Sequence, residues 1–281
     1  MHIVVPIKQI PDTQDVQMDP ETGTMVRSGV TAVVNPLDLY AVTAALDLRR
    51  TLGGTITAVT MGPPQAEEAL REVIALGCDA GVLVSDRRFG GSDTWATSRT
   101  LAAAIRKLGE FDLIITGERA TDGDTGQVGP GIAAWLDIPV ATYVARIHHP
   151  VSTTPPADRR LTAESPAVKS LTVERLTEDG YQLVELSTPA LLTVVKEVAS
   201  PGLPTLSGKR IARSADIPVF DAARLELDHT TIGLAGSPTR VARITTPRVS
   251  RQGAVATALD DTDVPKAVDA LVAFLREKEL I

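Results

Sequence analysis

The residues best placed to hold a small molecule lie in one run, LIITGERATDGDTGQVGPGIAAWL, from Leu113 to Leu136. A short apolar stretch ends at Gly117, and a loop of Gly, Asp and Thr follows. The spacing predicts a helix that begins between Asp124 and Gln127, because Pro130 is tolerated only in a first turn. Val128, Ile132, Trp135 and Leu136 would form its buried stripe. The start of such a helix presents free N–H groups and the positive end of its dipole, which suits a phosphate. Gly123 and Gly126 would let a ligand come close to the backbone. A second reading fits the spacing equally: Asp124 caps the helix, Gln127 reaches back to it, and the glycines only turn the chain. Two carboxylates beside a phosphate would repel it. Asp122 and Asp124 are therefore expected as helix caps or as acceptors for ribose hydroxyls.

Other chemistries are excluded by pattern. The chain has no Gly-x-Ser-x-Gly elbow and no paired histidines at zinc spacing. His148 and His149 stand before Pro150 in a turn-like stretch and read as surface residues. The segment from Gly202 to Lys209 has five residues between its glycines and Arg210 where a phosphate-binding loop needs Ser or Thr. No Gly-x-Gly-x-x-Gly follows a strand, so a nicotinamide-dinucleotide fingerprint is lacking. Cys78 is the sole cysteine, which excludes an intrachain disulfide, fits a reducing cytoplasm and reads as a core residue. The net charge of −7 argues against nucleic acid as the main partner. No apolar run reaches the roughly 20 residues of a membrane span, and the first residues read as a short strand with no signal peptide.

The elements around the loop set its position. Apolar, β-branched runs at 2–7, 55–61, 81–84, 113–116 and 139–144 alternate with helical patterns at 37–52, 65–76, 93–108 and up to 136. Such alternation implies right-handed βαβ units and a parallel sheet covered on both faces. Ligands in these sheets sit at the carboxyl ends of the strands, which directs attention to the loops at 8–36, 61–65, 85–94 and 117–127. The rhythm then changes. Strand-like runs at 167–176 and 181–187 flank Asp179-Gly180, a hairpin signal, and 189–195 is a further strand. Residues 200–241 are rich in Pro, Gly and Ser, and 264–280 is amphipathic with Val268, Leu271, Val272 and Leu275 on one face. The expected fold is a doubly wound, mostly parallel α/β sheet with a hairpin and an extended C-terminal arm ending in a helix. Residues 1–195 would be the nucleotide-binding domain, and 196–281 an arm and helix packing on another polypeptide.

Several segments together resemble the beta subunits of electron-transfer flavoproteins. They are VPIKQIPD from Val5, VNPLDLYA from Val34, VTMGPP from Val59 and DGDTGQVGP from Asp122. The likeness spans essentially the whole chain. It implies a heterodimer with an alpha subunit whose C-terminal domain holds an electron-shuttling FAD. In one branch the beta subunit binds structural AMP. In the bifurcating, nitrogen-fixation-like branch the same site holds a second FAD that takes hydride from NADH. The form Asp-Gly-Asp-Thr-x-Gln-Val-Gly-Pro and the segment from Phe89 to Ser98 resemble the second branch. The resemblance places the adenylate near Pro6, Asn35, Met61, Gly117, Asp122, Thr125 and Gln127. It places the diphosphate on the backbone of Gly126, Gln127, Val128 and Gly129, with Gly123 and Asp124 in the same loop, and it brings Asp93, Thr94 and Thr97 nearer the flavin ring. FAD is the implied cofactor, AMP the alternative and NADH the implied donor. The implied redox partners are an acyl-CoA-type or quinone-linked dehydrogenase and a ferredoxin or flavodoxin. Val198 stands where the family's partner-recognition loop usually carries Leu.

Overall fold

The computed structural model describes residues 1–12, 32–148, 170–242 and 260–281. In chain order these form β1 (His2–Ile7), β2 (Gln9–Pro11), β3 (Ala32–Val34), α1 (Pro36–Leu52), β4 (Thr55–Met61), α2 (Glu67–Leu76), β5 (Ala80–Val84), α3 (Thr94–Leu108), β6 (Leu113–Gly117), α4 (Val128–Leu136) and β7 (Val140–His148). There follow β8 (Ser170–Thr177), β9 (Gly180–Ser187), β10 (Ala190–Val194), α5 (Leu206–Ser214), β11 (Val219–Phe220) and α6 (Val264–Glu277). Nine strands make one sheet in the order β11-β5-β4-β1-β6-β10-β7-β8-β9. The first seven in that order run parallel, and the last two join antiparallel. This is the doubly wound, mostly parallel sheet with a terminal hairpin that the alternation of periods implies.

The winding follows from where the apolar residues point. Along β1, Ile3, Val5 and Ile7 face Val42, Ala45 and Leu48 of α1 and Leu70 and Val73 of α2, all in one buried cluster. Val4 faces the other side, with Leu101 and Ile105 of α3 and Ile132 of α4. Period-two strands therefore feed two separate cores, and helices must cover both faces. From β1 the chain winds outward through β4 and β5, then crosses back to β6 on the other flank of β1. The loops after β1 and β6 consequently part in opposite directions and leave a crevice between them.

Pro6 helps to open that crevice. Asp112 N–H donates to His2 O, and Thr60 Oγ1 donates to Ile7 O. Alternation along β1 thus turns His2, Val4 and Pro6 toward β6, and Ile7 toward β4. Pro6 has no N–H to give at the point where pairing would continue. The β1–β6 register covers only Ile3 and Val4, against six residues for β1–β4.

The chain forms two compact units, Met1–Ala242 and Arg243–Ile281. The boundary expected at 195 falls inside the first unit. Residues 196–242, read from sequence as the start of an arm on another polypeptide, contain α5 and β11, and β11 extends the sheet beside β5. Helix α5 escapes the pattern because it buries only Ala212 and carries Lys209, Arg210 and Arg213. Its hold comes from outside: Arg71 Nη1 donates to Ala212 O at 2.5 Å, where a cation also meets the negative end of the helix dipole. Of the strand expected at 167–176, the first three residues lie outside the described set. The hairpin turns at Glu178 and Asp179, with Thr177 opposite Gly180. Cys78 is buried, and burial pushes its thiol up to about 12, so it stays protonated as a core residue. In the second unit, α6 confirms the closing helix, with Val268 and Leu271 exposed.

A Cβ at Gly208 would overlap the Ala75 carbonyl at the end of α2. Gly208→Ala is expected to lower stability by about 1–3 kcal/mol. An unchanged urea midpoint would show that α5 does not seat on α2.

Candidate nucleotide-binding crevice

The loop after β6 is held from below by the start of α1. Asn35 is fully buried. Its N–H donates to Lys8 O at 2.8 Å, closing the far end of the excursion that leaves β1. Its side-chain Nδ2 donates to Arg119 O at 2.9 Å, and its Oδ1 accepts from Thr121 N–H at 3.2 Å. One side chain thus fixes two residues of the crevice loop. Asn35 is the N-cap of α1, ahead of Pro36, but makes no side-chain cap bond; its amide turns to the loop instead.

Asp38, one turn into α1, holds both sides of the crevice. Its Oδ2 accepts from Lys8 N–H at 2.7 Å, beyond the end of β1. Gly117, at the end of β6, packs directly against this carboxyl from the other side. The approach is close: a Cβ on Gly117 would lie 2.5 Å from Asp38 Oδ1 and 2.8 Å from the Leu37 carbonyl carbon. Only glycine fits there. Burial raises the Asp38 carboxyl to about 7, against the lowering effect of the Lys8 and Gly117 N–H groups, the Asn35 amide and the Lys8 charge.

The loop carboxylates are each paired with a cation. Lys8 Nζ lies 2.7 Å from Asp122 Oδ1, and Arg119 Nε lies 3.1 Å from Asp124 Oδ1. Neither aspartate caps α4. Asp124 sits in the left-handed region, at φ 53°, and its N–H donates to Ala120 O within a turn of the loop. The helix starts later than the capping pattern suggests, at Val128 with Gln127 as N-cap and no side-chain cap. The charge conflict raised by two aspartates beside a phosphate is therefore relieved by Lys8 and Arg119, which the sequence pattern did not single out.

What remains open is the backbone. Gly131 N–H makes the bond back to Gln127 O, so the N–H groups of Val128 and Gly129 lie ahead of the helix ladder. Gly126 turns at φ 63°, and a Cβ on Gly123 would meet nothing nearer than Lys8 Nζ at 4.0 Å. Gly129 lets the helix start sit directly on the ends of β6 and β10: a Cβ would lie 2.7 Å from Thr193 Cγ2 and 2.8 Å from Thr116 Oγ1. That Thr116 hydroxyl is buried with no hydrogen-bond partner among the described residues. A helix start with unused N–H groups, open space over glycine, paired carboxylates and an orphaned hydroxyl fits a nucleotide diphosphate.

The remaining expected residues sort by position. Pro6 and Met61 stand at or near the carboxyl ends of β1 and β4, and Thr125 is exposed on the loop. From the neighbouring loop, Thr94 Oγ1 donates to Gln127 Oε1 at 2.8 Å, joining the start of α3 to the start of α4. Asp93 caps α3 through Ala96 N–H, and its other oxygen accepts from the N–H and Oγ1 of Thr239. Burial opposes its ionisation, but these bonds and one from Ser237 outweigh it and hold the carboxyl below its ordinary range. Asp93 is thus a clasp for the segment at 237–239. Thr97 lies in the first turn of α3, its N–H bonded to Asp93 O.

The fold is a doubly wound α/β sheet with a candidate ligand crevice at its strand-order reversal. A family model described as the electron transfer flavoprotein domain matches residues 22–225. The chain belongs to the electron-transfer flavoprotein family and is of its beta-subunit type. It is 41% identical, over the full length of both chains, to the electron transfer flavoprotein subunit beta of Thermoanaerobacterium thermosaccharolyticum. It is 42% identical, again over both full lengths, to the caffeyl-CoA reductase-Etf complex subunit CarD of Acetobacterium woodii. It is also 43% identical to protein FixA of Azotobacter vinelandii, covering 98% of this chain and 94% of that one. Among the described residues no helix is long and apolar enough to cross a membrane, and no group of acidic, His and Cys side chains could hold a metal ion.

Because Asp38 is raised from 3.8 to about 7 on folding, its proton favours the folded state. The contribution is full at acid pH and is lost as pH rises toward and through about 7. It amounts to on the order of 4 kcal/mol between the two limits. Asp38→Asn is expected to flatten the fall in stability between about pH 4 and 7. Parallel slopes of urea midpoint against pH in both proteins would refute this.

Proposed function

We propose that this chain is the FAD-binding beta subunit of a bifurcating electron-transfer flavoprotein, paired with an alpha subunit. The observation that carries the nucleotide part is the helix start at Gln127–Gly129, with free N–H groups above an orphaned Thr116 hydroxyl. Val128 and Gly129 N–H would bind the diphosphate, with Gly123 and Gly126 making room for it. Gln127, oriented by Thr94, would contact the adenylate side, and Asp122 and Thr125 would meet ribose. Thr94 and Thr97 at the start of α3 would lie toward the flavin ring, with Asp93 keeping that start in place.

FAD held there supplies hydride and one-electron chemistry that no side chain of this protein offers. The protein's own part is to orient it, to shield it and to set its electrostatics. NADH is the proposed donor. The proposed acceptors are an acyl-CoA-type or quinone-linked dehydrogenase on one route and a ferredoxin or flavodoxin on the other. Similarity to proteins named as parts of caffeyl-CoA reductase and acryloyl-CoA reductase systems supports the acyl-CoA side. Structural AMP is the second reading, because the features at Gly126–Gly129 would serve any adenine nucleotide with a phosphate.

Purification with the alpha partner, release of the ligands and a count of flavins separates the two. Two FAD per heterodimer are expected; one FAD with one AMP would sink the FAD assignment. Asp122→Ala or Gln127→Ala should reduce nucleotide retained in the beta site, and full retention in both would place the site elsewhere.

A further inference from the structure

The buried carboxyl at the start of α1 does more than join two strands. Asp38 accepts from Lys8 N–H on one bank of the crevice and packs against the Gly117 backbone on the other. Its side-chain neighbour is Asn35, whose amide in turn holds Arg119 and Thr121 of the loop. Among the described residues Lys8 is a charged group that acts on it, and the Lys8 ammonium also holds Asp122. The acid on the β6 side, Glu118, instead interacts with Arg119, Asp124, Lys196 and Glu197. Asp38 therefore sits beside two of the groups that anchor the loop, Asn35 and Lys8, and is buried from water.

We propose that Asp38 is a positioning residue whose protonation is coupled to nucleotide binding: when an anionic nucleotide seats at Gly126–Gly129, the Asp38 carboxylate takes up one proton from water. The reasoning rests on the nucleotide reading above. A diphosphate adds negative charge to the crevice and competes for the Lys8 ammonium. Both changes disfavour a second buried anion nearby. The neutral carboxyl keeps an acceptor oxygen for the Lys8 backbone N–H. The resting ionisation of Asp38, near neutrality, makes the exchange possible at ordinary pH.

The test is calorimetric titration of FAD into the nucleotide-stripped full-length protein with its alpha partner, near pH 7, in two buffers of different ionisation enthalpy. The wild type should take up a sizeable fraction of a proton per FAD bound in this site, and its affinity should fall several-fold from pH 6 to 8. Asp38→Asn, a permanent stand-in for the neutral acid, should bind with no net uptake and an affinity flat over that range. Asp38→Ala should bind weakly at both pH values. Binding by the wild type without uptake, or equal uptake by Asp38→Asn, overturns the proposal while leaving the nucleotide site intact. Failure of FAD to bind the beta site of the wild type in either buffer overturns the nucleotide reading and this one together.

Discussion

Everything at the crevice depends on two polar side chains that accept burial at one place. Asn35 and Asp38 lie under the point where the strand order reverses, each with its hydrogen-bonding groups spent on backbone. Buried polar groups are tolerated only when satisfied, and the satisfied ones then fix whatever they bond to. Here they fix the ends of β1 and β6 and the loop between β6 and α4. A doubly wound sheet always parts its loops at this point, but their height and angle remain free unless something ties them. The Asn-Pro-Leu-Asp start of α1 is that tie, and Gly117 is the space it needs.

This arrangement accounts for a chain with so little chemistry in its side chains. A redox subunit whose cofactor carries electrons needs orientation and electrostatic control, not nucleophiles or acid–base pairs. The site is accordingly built from N–H groups, glycines and paired charges. Lys8 and Arg119 allow Asp122 and Asp124 to stand where bare carboxylates would repel phosphate.

Much of this could be read from the residues alone. Strands β1, β4, β5, β6 and β10 are apolar runs, and α1 to α4 have clear starts or stripes, so the sheet and its flanking helices follow from period and punctuation. Whole-chain likeness marks the loop at 122–130 as a candidate site more firmly than its spacing does, since the spacing also suits a plain capped helix. Three features stayed hidden for physical reasons. Asp38 looks like an acid placed to favour a helix dipole, because nothing local reveals that Gly117 will close over it. Lys8 and Arg119 look like surface charges until the strand ends bring them beside their aspartates. Helix α5 and β11 carry too few apolar residues to show a period; they are held by Arg71 and by pairing with β5, contacts across more than a hundred residues.

The place of β10 in the sheet bears on how the chain is made. It pairs with β6 on one side and β7 on the other, yet it follows β6 by roughly seventy residues. At about 5–20 residues per second, a ribosome would need several seconds to deliver it. Over that interval β6, apolar on both faces, has an unsatisfied edge toward the position β10 will fill, and such an edge is a template for pairing with other chains. The crevice is therefore among the last parts to close during synthesis, and the nascent chain is at its most vulnerable just before β10 is in place.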